Sequence, residues 1–520
     1  MNRTTSLLLP ALLLSALSPF SYAQAAPDQQ PVGDASQGYR LKTTTRLVVL
    51  DVVVLDKKGN PVKGLDKSQF TVLEDKKPQT IRNFELHEPT PADQKPKVIV
   101  KSTADLNKIG TDPVDILVFD ELNSKFEDMT YARDRMLKYL MRQPEILPRP
   151  TQLLAAGDAH FVVLHDYTQN RQELLDALKT HLPQYPWQMM RNQVGDGALE
   201  RMAQTLGILS QIADASSGTR GRKNVVWIGA GYPSVDTSAM DQEDQDKIME
   251  TIRVVTSRML TSHVVLYVID PAGVQAMQQD TGTDDEGNAT SSNLASGLGP
   301  FTDKLDFATF APATGGEIFA ERNDIDREVD DGLRESSSYY TLTYTPTNTD
   351  DVSTAFRDIR VKMKDPSLHA VTRKGYFGGP IPVEVAPKQD TKPSNQLKWD
   401  IGAAAQTTLP YNGLDVRADE ISGGYKLNVV AKGLTWTDLE DGSRTAEVTI
   451  MAVCTTEKAK SVCHESREIK DKIKPTDDIE RGERVTFPFK MDVPERTTHL
   501  RFVVRDAGSG RIGTTDVDMK

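Results

Sequence analysis

The sequence is poor in the features that mark membrane proteins, nucleic-acid-binding proteins and zinc proteins. Beyond the N-terminus, no apolar run reaches the roughly 20 residues that span a bilayer. Basic residues are outnumbered by acidic ones, 62 to 74, and the net charge of −12 argues against nucleic acid or anionic lipid as the main partner. The chain has two cysteines, which make a weak metal site. We therefore expect a globular protein with no membrane span and no nucleic-acid partner.

The sequence also lacks the short motifs that accompany common catalytic sites. It contains no G-x-S-x-G, no H-E-x-x-H and no Walker A motif. His160 and His165 flank an apolar segment, but their odd spacing in a strand places them on opposite faces. A shared metal or acid–base site at these histidines is therefore not predicted, and we do not expect an enzyme.

The N-terminus predicts export. Arg3 precedes an apolar run from Leu7 to Leu17, and Ala23-Gln24-Ala25 fits the small-x-small pattern of a signal-peptidase site. The run is too short for a transmembrane anchor. There is no cysteine near the cleavage site, which argues against a lipoprotein. We expect residues 1–25 to be a cleaved signal peptide and the mature protein to be periplasmic or secreted.

Cys454 and Cys463 lie in one predicted hairpin near the C-terminus. Their spacing is not that of a C-x-x-C redox motif. In an exported chain, two cysteines placed in this way predict a disulfide bond.

The chain begins with β-type segments. The run from Leu47 to Leu55 is rich in β-branched residues, and a turn signal follows at Lys57 to Pro61. Further alternating segments predict a small N-terminal β domain over residues 41–88. Residues 89–111 contain three prolines and are expected to be a linker.

From about residue 113, apolar strand-like runs alternate with helical stripes. The runs include Asp115 to Asp120, Asn224 to Gly229 and His263 to Asp270. Leu199, Met202 and Leu206 belong to one of the intervening stripes. This alternation predicts an open, mostly parallel sheet with helices on both faces within residues 112–378, whose last part is a β extension.

The last part of the chain returns to a β pattern. Residues 379–396 contain proline and lysine without periodicity and are expected to be a second linker. Alternating segments such as Ala446 to Cys454 and Leu500 to Arg505 then predict a C-terminal β-sandwich over residues 397–520.

Several separated segments resemble the bacterial VWFA-related domain family of exported proteins. They include VVVLDKKGNPVKGLDKSQFTVLEDKKPQTIRNFE, ILVFDELNSKFEDMTYARDRMLKYL, GRKNVVWIGAGYP, VVLYVIDPAGV, ATGGEIF, SSYYTLTYTP and VTRKGYF, in this order. The resemblance covers most of the chain after the signal. It implies an α/β fold, a Rossmann-like von Willebrand factor A domain flanked by N-terminal and C-terminal β-sandwich domains.

The resemblance also implies a candidate cation site. In such domains a metal-ion-dependent adhesion site lies at the carboxyl ends of the parallel strands, where oxygen ligands hold Mg²⁺ or Ca²⁺. A carboxylate of the partner protein fills the open coordination position. Asp120 stands at the first position of the motif Asp-x-Ser-x-Ser and Ser124 at the last, while Asn123 offers a carbonyl oxygen.

The motif is degenerate in this chain. Leu122 replaces the middle serine, and Gly229-Ala230-Gly231 stands where a third-loop carboxylate is expected. The second-loop threonine has no clear counterpart, and Asp196 is the nearest oxygen donor. We therefore expect weak or no cation binding. The alternative is that Asp120 and Ser124 cap the following turn and helix.

These observations predict an exported, adhesion-type module that binds another protein through the top face of the central domain. Two alternatives stay open: a metal-free structural scaffold of the cell envelope, and a hydrolase with no recognisable motif. The sequence does not indicate which protein is the partner.

Overall fold

The computed structural model of the chain describes most of the sequence between Leu47 and Met519. The described residues are 47–88, 98–157, 161–181, 196–238, 240–271, 299–301, 304–319, 325–335, 338–348, 353–379, 395–439, 441–457, 460–473 and 483–519. The predicted signal peptide and its cleavage site lie outside these ranges.

Four strands come first, where the β-branched and alternating segments predict them. They are β1 (Val48–Leu55), β2 (Phe70–Glu74), β3 (Lys77–Gln79) and β4 (Ile81–His87). Asp75 and Lys76 join β2 to β3, and both have positive φ angles, 48° and 65°. That backbone is the one required by a tight two-residue hairpin turn.

The middle of the chain builds a six-stranded mixed sheet. Its strands are β5 (Val114–Asp120), β6 (Ile146–Ala156), β7 (Phe161–Asn170), β8 (Lys223–Ile228), β10 (Val264–Ile269) and β12 (Ile318–Phe319), in the spatial order β12-β10-β8-β5-β6-β7. β9 (Val235–Asp236) and β11 (Lys304–Leu305) pair with each other beside it. Pairing is parallel from β12 to β6, and β7 is antiparallel. Every residue of β5, β8 and β10 is buried, which explains their unbroken apolar runs.

Helices connect these strands and pack their apolar sides against the sheet. They are α1 (Phe126–Arg142), α2 (Arg171–Thr180), α3 (Asp196–Ser216), α4 (Gln242–Thr261), α5 (Phe310–Thr314) and α6 (Ile325–Glu335). Asn170 caps α2, because its side-chain oxygen accepts the N–H of Gln172 at 3.0 Å. Met202 and Leu206 of α3 pack into the core on one face of the sheet, while α1 and α2 cover the other face.

The strands that follow the mixed sheet return to the N-terminal strands. They are β13 (Tyr339–Tyr344), β14 (Phe356–Met363), β15 (His369–Val371) and β16 (Gly375–Phe377). β13 lies between β1 and β4, with Asp51 opposite Thr341, and β14 pairs with β2. The two sheets, β15-β1-β13-β4 and β16-β14-β2-β3, enclose a common apolar core. The N-terminal strands thus depend on partners 290 residues further along the chain.

The C-terminal strands form two facing antiparallel sheets. They are β17 (Val416–Ile421), β18 (Gly424–Val430), β19 (Thr437–Asp438), β20 (Arg444–Thr455), β21 (Ser461–Ile473), β22 (Arg484–Lys490), β23 (His499–Asp506) and β24 (Ile512–Asp518). Sheet β17-β18-β22 faces the sheet built on β20, and residues such as Leu427, Ile450 and Phe487 fill the space between them. This confirms the predicted C-terminal β-sandwich. Helix α7 (Asn395–Gln406) joins it to the rest, since Ile401 and Val503 share the core that α3 lines.

The predicted fold class, a Rossmann-like von Willebrand factor A domain flanked by N-terminal and C-terminal β-sandwich domains, is wrong, although the C-terminal sandwich itself is present. The chain is rich in β-structure with several antiparallel sheets, and the six-stranded sheet is mixed. The segment at residues 41–88 does not form a sandwich of its own, because β13 and β14 complete it. Apolar periodicity shows which segments become strands, but long-range packing decides which strands pair. The predicted domain boundaries otherwise stay predictions.

Candidate functional site at the strand-end rim

Asp120, at the carboxyl end of β5, is the centre of the candidate site and is fully buried. Its Oδ1 accepts the backbone N–H of Asn123 at 3.0 Å and the Asn123 side-chain amide at 3.1 Å. Its Oδ2 accepts the indole N–H of Trp227 at 3.1 Å and the backbone N–H of Gly231 at 2.9 Å. We call the region formed by residues 120–126, 201–205 and 229–231 the strand-end rim.

Two glycines allow this close packing. Gly229 has a φ of +149°, and a Cβ at this position would lie 2.3 Å from the Asp120 Cβ and 2.7 Å from the Ser124 Oγ. Gly231 has a φ of +70°, and a Cβ there would lie 2.1 Å from the ring of Phe307. The Gly-Ala-Gly segment therefore brings backbone close to Asp120 and supplies an N–H donor.

Burial sets the electrostatic state of Asp120. Removal from water raises the pKa of this carboxyl from 3.8 to about 6, because the charged form loses its hydration. Hydrogen bonds from Asn123, Trp227 and Gly231 favour the charged form and limit the rise of the pKa. Asp120 is thus an internal hydrogen-bond acceptor whose ionisation is costly.

Asn123 and Ser124 are also buried in the rim. The side-chain amide of Asn123 donates to Asp120 and, at 3.1 Å, to the Thr205 Oγ1 on α3. The Asn123 Oδ1 and the Ser124 Oγ have no hydrogen-bond partner among the described residues. The N-cap of α1 is Lys125, without a side-chain cap. Asp120 therefore caps the turn that follows it, as the alternative prediction expects. Ser124 does not cap helix α1, so that part of the alternative is wrong.

The residues present do not fit a Mg²⁺ or Ca²⁺ ion. Both carboxylate oxygens of Asp120 already accept N–H donors, and a cation would have to displace them. Leu122 is part of the apolar core. The described residues contain no group of three or more His, Cys, Asp or Glu side chains that could hold a metal. The side chain of Asp196 lies outside the described atoms, so a role for it stays a prediction.

Sequence reasoning missed several neighbours of Asp120. Trp227 and Gly231 were expected only to form a strand and a loop, yet both donate to the carboxylate. Thr205 faces the rim from α3, where its Oγ1 accepts the Asn123 side-chain amide at 3.1 Å, and Arg201 lies one helical turn before it. The Glu121 carboxylate and the His181 ring, at the end of α2, are within hydrogen-bond distance of each other. The helical spacing of Arg201 and Thr205 was the signal available in the sequence.

His165 and Asp270 make contacts of their own. His165 approaches the backbone oxygen of Asp166 at 2.6 Å and Glu173 at 3.7 Å, and His160 is outside the described residues. Asp270 is buried at the end of β10, and its N–H donates to the backbone oxygen of Phe319 at 3.2 Å. The structure therefore does not bring these groups together with Asp120 into one described cluster.

The predicted disulfide between Cys454 and Cys463 is confirmed. The two residues face each other across the β20–β21 hairpin, with a Cα–Cα distance of 4.9 Å. Cys454 is fully buried in the sandwich core. The bond thus joins the start of β21 to the centre of the C-terminal core.

No helix among the described residues has both the length and the apolar character needed to cross a membrane.

Comparisons with known proteins do not assign the chain to a family. No protein-family model matches the sequence, and no curated protein matches it. The human COPII-coat protein Sec24c is similar over 56% of this chain and 47% of its own, with 8% identity and a TM-score of 0.24. The pilus adhesin SpaC from Lactobacillus rhamnosus GG is similar over 88% of this chain and 58% of its own, with 7% identity and a TM-score of 0.24.

The chain spans about half the length of these two structures, 47% and 58%. TM-scores this low do not indicate a shared fold, so neither likeness bears on what this chain binds. The resemblance to the VWFA-related family stays a prediction.

Proposed function

We propose that this chain is an exported, non-catalytic module that binds another protein through the strand-end rim. One observation carries the proposal: an exposed aromatic residue directly follows the hydrogen-bonded turn that Asp120 and Asn123 form at this rim. Phe126 is 40% exposed. Ligands of open α/β sheets bind at the carboxyl ends of the strands, which is where this rim lies.

The chemistry of the rim supports binding over catalysis. Asp120 is the natural candidate for a general base, but four N–H groups occupy its two oxygens. A base must reach the proton that it abstracts, and this carboxylate faces the protein interior. An exposed aromatic side chain such as that of Phe126 is instead typical of the central part of a protein–protein interface.

The disulfide supports the proposed location. Bonds such as Cys454–Cys463 persist in oxidising compartments and are rare in the reducing cytosol. Together with the signal pattern at residues 1–25, the bond supports a periplasmic or secreted protein. Sequencing the N-terminus of the protein recovered from the envelope should give a start near Ala26, and an intact Met1 would contradict export.

Site-specific crosslinking in the source cells tests the binding proposal. A photoreactive aromatic residue is placed at Phe126, with a control at Ile421, a 37%-exposed apolar residue of the C-terminal sandwich. We expect a discrete crosslinked protein from position 126 that excess purified chain competes away, and none from position 421. No product at 126, or the same products at both positions, would refute binding at the rim. A product made only of copies of this chain would support the scaffold alternative.

A further inference from the structure

Strand β7 forms one edge of the mixed sheet. On its inner side β6 pairs with it, with Ala155 opposite Val162 and Leu154 opposite Val163. Among the described residues, no backbone hydrogen bond joins residues 161–165 to a segment other than β6. Alternate N–H and C=O groups of an edge strand point away from the sheet and can pair with a further strand. We call residues 161–165 the open edge.

The second half of β7 is covered by the chain itself. The N–H of Gln169 donates to the backbone oxygen of Val100 at 3.1 Å, and the N–H of Val100 donates to the Gln169 side chain at 2.9 Å. Further along, the N–H of Thr103 donates to the Asp166 carboxylate at 2.8 Å. In the described part of the chain these contacts reach Asp166 and end before the open edge, which a strand from outside can therefore approach.

The open edge lacks the residues that keep sheet edges from pairing. Natural edge strands are protected by charged side chains or proline. The open edge reads Phe-Val-Val-Leu-His and contains neither. Such residues do occur in the other described edge strands longer than three residues: Arg82 and Glu85 in β4, Asp419 and Glu420 in β17, Lys470 and Lys472 in β21, Pro488 and Lys490 in β22, and Asp516 and Asp518 in β24.

Both faces of the open edge are anchored in the protein. Val163 packs against the core that α3 lines, and Leu164 packs against the core on the opposite face of the sheet. Val162 stays 39% exposed. Because packing already holds this stretch extended, a second strand can pair with it at a small further cost in conformational entropy.

We infer that the open edge pairs antiparallel with the open edge of a second copy of this chain, which joins two mixed sheets into one. Residues 161–163 pair with β6 without a register shift, so the two-fold axis is placed at Val162. Val162 then lies opposite Val162 of the copy, and Val163 opposite Phe161. No like charges oppose each other in this register.

Charge also favours this edge as the contact between copies. The chain has a net charge of −12, so two copies repel each other at long range. An uncharged edge adds nothing to that repulsion, whereas the charged edges of the other sheets do. The inference is separate from the proposed function, because it uses the edge of the sheet and leaves the strand-end rim free for another protein.

Sedimentation equilibrium of the full mature chain tests the dimer. We expect a monomer–dimer equilibrium that strengthens as salt screens the net charge. Val162→Lys should weaken it by about tenfold or more, because two ammonium groups would face each other across the axis. The matched control is Ile421→Lys, which changes a 37%-exposed apolar residue at the end of edge strand β17 and should leave the dimer constant unchanged.

Val162→Cys gives a second readout that also tests the register. Directly opposed residues of an antiparallel pair have Cα atoms about 4.5–5.5 Å apart, within the range of a disulfide. Cys454 and Cys463 are bonded to each other, so the new thiol is left to react with the copy. Mild oxidation should give a covalent dimer from Val162→Cys and none from Ile421→Cys.

A chain that stays monomeric at every concentration, or a dimer that Val162→Lys leaves unchanged, would overturn the inference. Equal covalent dimer from positions 162 and 421 would do the same. If Val162→Lys does not fold, the cysteine result decides. A monomeric chain whose position 162 crosslinks to a different protein in the source cells would also overturn it, because the edge then takes a foreign strand. Crosslinking at Phe126 should survive Val162→Lys, so the edge and the proposed function can fail independently.

Discussion

The indole N–H of Trp227 donates to the Asp120 Oδ2 at 3.1 Å, linking the buried end of β8 to the end of β5. Trp227 is itself fully buried and packs its ring against Phe307. Burying a carboxylate costs desolvation energy, but the hydrogen bonds from such donors fix the position of its side chain. The strand-end rim is therefore organised by hydrogen bonds from the chain's own N–H groups.

The raised pKa of Asp120 predicts a specific pH dependence of stability. The folded state binds the proton more tightly than the unfolded state, so this group stabilises the fold below pH 3.8 and loses that effect as pH rises through 6. The loss is about 3 kcal/mol, since each pKa unit corresponds to about 1.4 kcal/mol.

Asp120→Asn should remove this dependence. Urea unfolding of both proteins from pH 4 to pH 7 should show the wild type losing free energy of unfolding relative to the variant as pH increases. Parallel pH profiles for the two proteins would show that Asp120 does not titrate in this range.

Divalent cations should have little effect on the protein. Because N–H donors occupy Asp120, Mg²⁺ must displace them to bind. Calorimetric titration should detect weak or no uptake, and partner crosslinking should survive chelation. Tight, stoichiometric uptake that Asp120→Ala abolishes would show a working metal site. Tight uptake that Asp120→Ala leaves unchanged would place the metal elsewhere.

Gly229→Ala should destabilise the protein. The positive φ disfavours alanine by about 1–3 kcal/mol, and the new Cβ would lie 2.3 Å from the Asp120 Cβ. The matched control is Gly207→Ala in α3, where a new Cβ meets nothing within 4 Å. That change should stabilise by up to about 1 kcal/mol, because alanine is the better helix former. Similar denaturation midpoints for the two variants would refute the proposed close approach at Gly229.

The disulfide should stabilise the C-terminal sandwich. Closing the short loop between Cys454 and Cys463 contributes about 2–3 kcal/mol in the chain-entropy model. Replacing both cysteines by alanine should lower the free energy of unfolding by about this amount. Reductant should destabilise the wild type and leave the variant unchanged. Two free thiols in the unfolded, non-reduced protein would rule the bond out.

Local patterns identified most of the elements. The buried strand at Val225 to Ile228, the helix with Met202 and Leu206, and the C-terminal hairpin all lie where the sequence predicts them. The disulfide was predictable for the same reason, since its cysteines are close in the chain. The placement of Asp120 at the end of a buried strand also followed from its apolar run.

Only the tertiary structure decided how these elements combine. Asp51 of β1 meets Thr341 of β13, and no local pattern in either segment identifies the other as its partner. Likewise, Asn123 meets Thr205 because α3 packs across the end of β5. Periodicity in a sequence records which side of a segment is buried. The partner that buries it, and the donors that satisfy a buried charge, depend on contacts between distant parts of the chain.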